Sequence, residues 1–388
     1  MTDPEALKLF QTRSGRHLSE QPSDEERELL NILDSLPLAI AQAAAYIRLT
    51  RASVKYYVEM LKESEVEQSQ LLDFEFSDIH RQSDMPNSVM KTWIISMKQI
   101  AQENPCAEQI LNTVAFLDNQ GLPFEVLSAA GGPGFSKREV LEAAGRLVDY
   151  SFLQAQIILE DATPTYQEHR LVQLATRQAL SKAQRNREFS GYALQIMSDL
   201  FPDGTHETWS SCNVYLPHAL KSLTWKDTDR YEYIAPGLLA QIGCYYWEEG
   251  RSNEAEELEV QVLDLRKSVL GEKHPDTIKA MANLASTWQQ QGRSDEAERL
   301  GLQVLDLRKS VLGEKHPDTI KAMANLAVTY YIQHHYDEAE KLEVIVLNLR
   351  RQILGNKHPD TKLAQENLAA TYRQQGRYDE IEELELQV

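Results

Sequence analysis

The chain has 388 residues and a formal net charge of −19, with 42% hydrophobic and 26% charged residues. This length exceeds what one hydrophobic core normally serves, so we expect two or three domains. The negative charge repels nucleic acid and anionic membranes, which excludes both as partners.

The cysteines and the apolar runs predict the compartment. Three cysteines lie far apart without a CxxC pair, as expected for reduced thiols that bind no metal. The most apolar run, residues 36–47, is too short to cross a bilayer, and residues 1–18 lack the apolar segment of a secretory signal. We therefore predict a cytoplasmic protein.

The first predicted domain is a helical module over residues 1–76. Pro37 interrupts an apolar helical pattern, and an alanine-rich helix over 38–47 resumes it with the proline in its first turn. Residues 53–72 predict a more exposed amphipathic helix, and we place Tyr56 on its apolar side.

Residues 77–88 have no helical period and predict a linker, and residues 89–182 predict a winged-helix-like domain. In this domain three helices precede a β-hairpin, and a further helix follows it. Nine acidic and five basic residues between 105 and 181 give a net charge of −4, which excludes DNA binding. The predicted elements are helices over 89–102, 106–117, 124–130, 137–150 and 171–181, strands over 151–159 and 165–168, and a turn over 121–123.

Residues 183–230 predict a helical connector of two segments, and a repeat governs residues 231–388. The stretch QVLDLRKSVLGEKHPDTIKAMANLA over 261–285 recurs letter for letter over 303–327, a shift of 42 residues. A weaker copy follows at the same interval. Fixed-period self-similarity of this size predicts a stacked repeat array.

Each repeat unit predicts two antiparallel helices. In the best-defined copy the first helix begins at Pro275, with Asp276 or Thr277 as its N-cap, and ends at Gly292. The second helix ends before Gly313, which supplies the left-handed position. Small residues and an aromatic recur between the helices, so the units stack into a right-handed α-solenoid with an inner groove. The predicted fold class is mainly α: a helical module and a winged helix, followed by this solenoid.

The repeat resembles tetratricopeptide repeats, specifically the 42-residue kinesin-light-chain type, marked here by GEKHPDT and by NLA before an aromatic. The chain stops inside the last unit without a polar cap, so we expect a truncated repeat, a fragment of a longer protein, and self-association through the uncapped end. His274, His316 and His358 lie a full unit apart. They cannot share a metal ion, so we assign them to loop structure.

The inner groove is lined by first-helix side chains that do not pack. Asparagine recurs three times at one position, and a ladder of amides can clasp an extended peptide backbone because an amide both donates and accepts. Asparagines that bond to the neighbouring helix would explain the same recurrence, and both interpretations stay open. Lysines nearby would make the groove locally positive and favour acidic peptides. The predicted groove residues are Lys279, Asn283, Ser286, Gln290, Lys321, Asn325, Asn367 and Arg373.

A second resemblance concerns the first half of the chain. Ser35-Leu36-Pro37-Leu38-Ala39 is similar to the GLPLA element of NB-ARC-type signalling NTPases, and Glu168-His169-Arg170 stands where that family has Met-His-Asp. This implies that Pro37 packs on adenine and that His169 lies near the nucleotide phosphates. Because the phosphate-binding loop of the family is missing from this sequence, we expect no cofactor, and ADP or ATP only if a nucleotide-binding domain is present upstream.

As a whole the chain resembles the C-terminal part of fungal NLR-like proteins of the STAND class that carry kinesin-light-chain-type repeats. The resemblance implies the regulatory and ligand-sensing half of a signalling receptor: a scaffold that binds a protein or peptide in its repeat groove. No GxxxxGK[ST], HExxH or GxSxG motif is present, so we predict no enzyme. The alternatives are a kinesin-light-chain-like cargo adaptor, although no long heptad coiled coil precedes residue 80, and an ADP/ATP switch completed by the missing domain.

Overall fold

The structure is a computed structural model that describes residues 1–19, 21–33, 35–69, 87–156, 164–228 and 230–386. It divides into two compact units, residues 1–200 with 214–231 and residues 201–213 with 232–388. The fold is mainly α, as the sequence predicts, and the described strands form one small sheet.

The first unit begins with helices that pack around buried aliphatic and aromatic side chains. The sequence did not predict α1, yet this helix packs on α3 and buries Phe10 completely. The placement of Tyr56 on an apolar face is wrong, because this residue is 54% exposed whereas Tyr57 is buried. The buried side of this helix is formed by Val54, Tyr57, Val58 and Leu61, and Tyr56 lies about 100° from Tyr57, on the side away from Val58. The helices are α1 (Asp3–Ser14), α2 (Asp24–Ile32), α3 (Pro37–Thr50), α4 (Val54–Ser69) and α5 (Asn87–Glu103).

The predicted linker over 77–88 lies outside the described residues, except for its last two, which belong to α5. The winged-helix order follows, with β3 as the central strand, antiparallel to both neighbours. Leu122 pairs with Tyr166, so the turn predicted there is in fact a short strand, which only this long-range pairing defines. The elements are α6 (Pro105–Val114), β1 (Leu122–Pro123), α7 (Phe124–Gly131), α8 (Lys137–Asp149), β2 (Leu153–Gln156), β3 (Thr165–Glu168) and α9 (Arg170–Lys182).

Three long-range contacts hold this winged helix, two of them to Trp225 of the connector. The Asn119 side chain donates to the Glu168 carbonyl at 3.1 Å, and the Glu168 amide donates to the Asn119 carbonyl at 2.8 Å. The Trp225 indole donates to the Phe116 carbonyl at 2.9 Å and meets the Phe116 ring edge to face. The Arg177 guanidinium lies over the same indole, 5.3 Å from its centre. The paired residues are 48 to 109 positions apart, so these contacts join distant parts of the winged helix and attach Trp225 of the connector to it.

The predicted connector contains two helices, as expected: α10 (Asn186–Leu200) and α11 (Trp209–Ser222). Residues 201–208 separate them and include a 3-10 turn at His206–Thr208. The second unit is then a solenoid of four helical pairs at a 42-residue period, in which consecutive helices pack on one another. The helices are α12 (Tyr231–Glu248), α13 (Ser252–Leu270), α14 (Pro275–Gln290), α15 (Ser294–Leu312), α16 (Pro317–Ile332), α17 (Tyr336–Leu354), α18 (Pro359–Gln374) and α19 (Tyr378–Leu386).

The N-cap of each first helix differs from the prediction. His274, rather than Asp276 or Thr277, is the N-cap of α14, and its Nδ1 accepts a hydrogen bond from the Asp276 amide at 3.2 Å. His316 and His358 do the same in the next two units. The cap lies one residue before the proline, because proline takes the first helical position, where its missing N–H costs nothing. The histidines therefore end the loops and cap the helices that follow, which agrees with their predicted role in loop structure.

Candidate functional site

The predicted groove residues of α14 and α16 meet in one cleft. Lys279, Asn283 and Ser286 line it from α14, and Lys321 and Asn325 line it from α16. The cleft has a volume of about 290 Å³, which is near the lower end of the range for ligand pockets. The 42-residue period produces this arrangement, since it gives equivalent positions of successive first helices the same orientation.

Three predicted residues do not line this cleft. Gln290 is exposed at the end of α14, and Arg373 is exposed near the end of α18. Asn367 is half-buried on α18, one repeat unit beyond Asn325. The cleft between α14 and α16 therefore unites five of the eight predicted groove residues.

Asparagine lies at the same position of three successive first helices. Within the described residues, the side-chain amides of Asn283, Asn325 and Asn367 make no hydrogen bond, and the first two are exposed. Among the described residues, no hydrogen bond to a neighbouring helix accounts for asparagine at this position. Each amide keeps a donor and an acceptor for another molecule.

Charged groups of both signs border the cleft. The ammonium groups of Lys279 and Lys321 have no ion-pair partner in the described part of the chain, and both residues are exposed. Asp276 and Asp318 lie on the same rim. Arg308 is 8% exposed and donates to the Asp318 carbonyl at 2.6 Å, and burial lowers the pKa of its guanidinium. The two lysines are the cations left available to an acidic ligand.

Sequence reasoning missed Arg308 as a cleft residue. A signal was present, because in each unit an arginine precedes the Asp of the HPD motif by ten residues. Arg266 and Arg350 occupy that position in the neighbouring units, and all three donate to the Asp carbonyl ten residues on. These arginines therefore hold the start of each first helix. Arg308, on α15, is the buried one of the three and also forms part of the cleft wall.

The two residues assigned to nucleotide binding lie in the first unit. Pro37 is exposed at the first position of α3, and His169 is the N-cap of α9, where its Nδ1 accepts from the Leu171 amide at 3.2 Å. The preceding Glu168 is completely buried, and burial raises its pKa to about 8, an effect that Gln173 and Arg177 only partly offset. A contact of Pro37 or His169 with a nucleotide stays a prediction, as does the need for a cofactor.

The described residues contain neither a metal site nor a membrane-spanning helix. Over the residues that the structure describes, no three His, Cys, Asp or Glu side chains are arranged to hold a metal ion. In the same part of the chain, none of the helices combines the length and the apolarity needed to span a membrane.

The chain was also compared with known proteins. The tetratricopeptide repeat family model matches residues 237–310 and 283–343, and a second model of that description matches residues 363–388. A nucleotide-binding leucine-rich repeat (NLR)-like protein of Hyaloscypha variabilis is 39% identical over 289 residues. The match takes in 72% of this chain but 28% of the relative's length.

Similar solved structures include the Podospora anserina protein described as a kinesin light chain with nearly identical TPR-like repeats. It is 22% identical, with a TM-score of 0.39, over 54% of this chain and 92% of that one. BtubC (BKLC) of P. vanneervenii is 20% identical, with a TM-score of 0.41, over 54% of this chain and 81% of that one. At these values the similarity says nothing of function.

Proposed function

Because this chain carries tetratricopeptide repeats and is similar over most of its length to an NLR-like protein, we propose that it is a non-catalytic scaffold that binds a peptide segment of another protein. The proposed binding site is the cleft between α14 and α16. The ligand is an extended segment with acidic side chains, held by its backbone.

The observation that carries this proposal is the pair Asn283 and Asn325. They occupy the same position in successive units, line one cleft and have unbonded side-chain amides. An extended peptide presents backbone N–H and C=O groups in alternation, and an amide matches both. Lys279 and Lys321 lie one turn away on the same helices and favour acidic side chains in the ligand.

The cleft is tested with a displayed library of 12-residue peptides selected on the full chain. We expect the selected peptides to be enriched in Asp and Glu. The double variant Asn283→Ala/Asn325→Ala should bind them about 10-fold more weakly, since it removes hydrogen bonds worth roughly 0.5–1.5 kcal/mol each. Affinities of synthetic copies of these peptides, measured by calorimetry, check the expectation.

The matched control is Gln261→Ala/Gln303→Ala. It also removes two exposed amides one unit apart, but on second helices away from the cleft. This variant should bind the selected peptides as the wild type does. Equal affinities of the asparagine variant and the wild type would sink the proposal, and so would peptides without acidic enrichment.

The wider role that we propose is the regulatory and ligand-sensing part of a cytoplasmic NLR-like signalling protein. Its support is the identity to the NLR-like relative, of which the matched region is about a quarter. The three thiols are unpaired, which agrees with a reducing compartment. A ligand bound along the groove would contact several repeat units at once, and it could thereby favour one arrangement of the stack.

A further inference from the structure

The turn between the two helices of a repeat unit holds an arginine in the same way in two units. In the α14–α15 turn, the Arg293 guanidinium donates to Glu256 at 2.7 Å and to Glu296 at 3.1 Å. It also donates to the side-chain oxygen of Gln291 at 3.3 Å and lies over the Trp288 ring, 5.0 Å from its centre. Two carboxylates, an amide oxygen and a ring face thus surround one cation, and these side chains form what we call the turn cluster.

The α18–α19 turn has a turn cluster of the same kind. Arg377 donates to Glu340 at 2.7 Å and to Glu380 at 2.8 Å. It also donates to the side-chain oxygen of Gln375 at 3.2 Å and lies over the Tyr372 ring, 4.6 Å from its centre. The arginine side chains of the two turns are 38% and 37% exposed. A cation in this position is therefore accessible from solvent.

The α16–α17 turn has a histidine in place of the arginine. The backbone conformation is unchanged, with φ and ψ of −86° and 66° at His335 against −85° and 62° at Arg293. The imidazole is shorter than the arginine side chain, and its centre lies 6.3 Å from that of the Tyr330 ring. Among the described residues, its nitrogens make no hydrogen bond or ion pair with Glu298 or Glu338, the two carboxylates of this turn. The histidine therefore does not replace the contacts of the arginine.

The other members of the turn cluster are present in the α16–α17 turn. Burial raises the pKa of the Tyr330 hydroxyl, and the charges of Glu298 and Glu338 raise it further, so both carboxylates lie near this ring. Neither carboxylate makes an ion pair within the described part of the chain. The side-chain oxygen of Gln333 is buried there without a donor, whereas the same oxygen in the other two turns accepts from the arginine. A buried acceptor without a donor costs stability, so this turn lacks the donor that its neighbours have.

We propose that the turn cluster of the α16–α17 turn binds a guanidinium group, namely an arginine side chain of a partner protein. A guanidinium presents N–H donors at fixed angles, which matches two carboxylates and an amide oxygen, and its face matches the Tyr330 ring. An ammonium group lacks this geometry. The cluster lies at the end of α16, whereas Lys321 and Asn325 line the peptide cleft nearer its start. The inference therefore goes beyond the proposed function and does not rest on it.

The test is a titration of the full chain with N-acetyl-arginine methylamide. It is run at constant ionic strength and at pH 8, where free imidazole is neutral. In spectra that correlate ¹H and ¹⁵N, the Gln333 side-chain signals should shift saturably, with half-saturation on the order of 10–100 mM because one exposed group binds weakly. N-acetyl-citrulline methylamide, which has nearly the same shape without the charge, should cause no such shift. The lysine analogue should bind several-fold more weakly.

Three substitutions locate the site. His335→Arg supplies the guanidinium from within the chain and should abolish the shifts. Arg293→His removes the guanidinium from the α14–α15 turn and should add a second set of saturable shifts, at Gln291. Glu298→Gln should raise the half-saturating concentration several-fold. The matched control for His335→Arg is Gln261→Arg, which adds the same side chain at an exposed position of α13 and should respond as the wild type does.

Several outcomes would overturn the proposal. They are a wild type whose Gln333 signals do not shift, equal binding of the citrulline or lysine analogue, an undiminished response of His335→Arg, and no second set of shifts in Arg293→His. If His335→Arg does not fold, an undiminished response of Glu298→Gln overturns it. The asparagine variant of the peptide cleft should bind the arginine probe as the wild type does, so the two proposals fail independently.

Discussion

The winged helix and the repeat array hold themselves together in different ways. In the winged helix each contact occurs once, such as the hydrogen bond from the Asn119 side chain to the Glu168 carbonyl. In the array each contact returns after 42 residues, as the three histidine caps do. A departure in one repeat unit can therefore be compared with intact copies in the same molecule. The winged helix has no such internal reference.

The difference extends to cooperativity. Contacts that join residues far apart in sequence make a domain unfold as one body, whereas in a stack each unit depends mainly on its neighbours. Three sets of variants test how the two regions differ. They are given in order of decreasing expected change in the free energy of unfolding.

Phe116→Ala should have the largest effect. The side chain is 1% exposed and contacts Trp225, so its loss should destabilise the winged helix by about 3–5 kcal/mol. Hydrogen exchange should then accelerate together over 105–182. In the array, Leu326→Ala removes a side chain that is 3% exposed, and faster exchange should be confined to α16 and the helices next to it. If Phe116→Ala also accelerated hydrogen exchange only in the helices next to it, the two regions would not differ in cooperativity.

Glu259→Gln should stabilise the array above neutral pH. Burial raises the pKa of Glu259 from 4.5 to about 7, and the Thr287 hydroxyl opposes this only in part. The folded protein binds this proton more tightly than the unfolded chain does, so the glutamate costs stability increasingly as the pH rises from 4.5 to about 7. The variant should gain on the order of 2 kcal/mol at pH 8 and nothing at pH 4.

Urea denaturation at the two pH values measures this difference. The control is Glu257→Gln, an exposed residue of the same helix, which should gain nothing at either pH. A gain of Glu259→Gln that is the same at pH 4 and pH 8 would exclude ionisation of the buried carboxyl as the cause.

His334→Gly should have the smallest effect. His334 adopts a left-handed backbone with φ of 62°, where the equivalent residues of the flanking units are Gly292 and Gly376. Glycine adopts this conformation without the strain that a Cβ brings, so the variant should be more stable by about 0.5–1 kcal/mol, despite losing the exposed contact to Tyr336. Its melting temperature should rise by a few degrees, and Gly292→His should lower it. A fall in both variants would show that the glycine positions are not equivalent.

The array could be predicted from the sequence in far more detail than the winged helix. Its helix bounds follow from the period and from glycines such as Gly313, which ends α15. The caps could not be predicted, because an imidazole nitrogen caps a helix only when the loop aims it at an amide, as in His274. Strand β1 escaped prediction because Tyr166, its partner, lies 44 residues on.

Part of the candidate site could be predicted from the sequence. Asn283 and Asn325 follow from the period, since equal positions face the same way. The place of Arg308 in the cleft wall depends on which helices are neighbours in space, and a single unit does not contain that information.

The letter-for-letter identity of residues 261–285 and 303–327 has a consequence for inheritance. Closely matching gene segments in tandem can misalign during recombination, and one unit is then gained or lost in a single event. Because each helix packs mainly on its neighbours, a chain with altered copy number keeps the contacts within its units. The length of the groove along the first helices is thus a trait that can change in whole steps between generations.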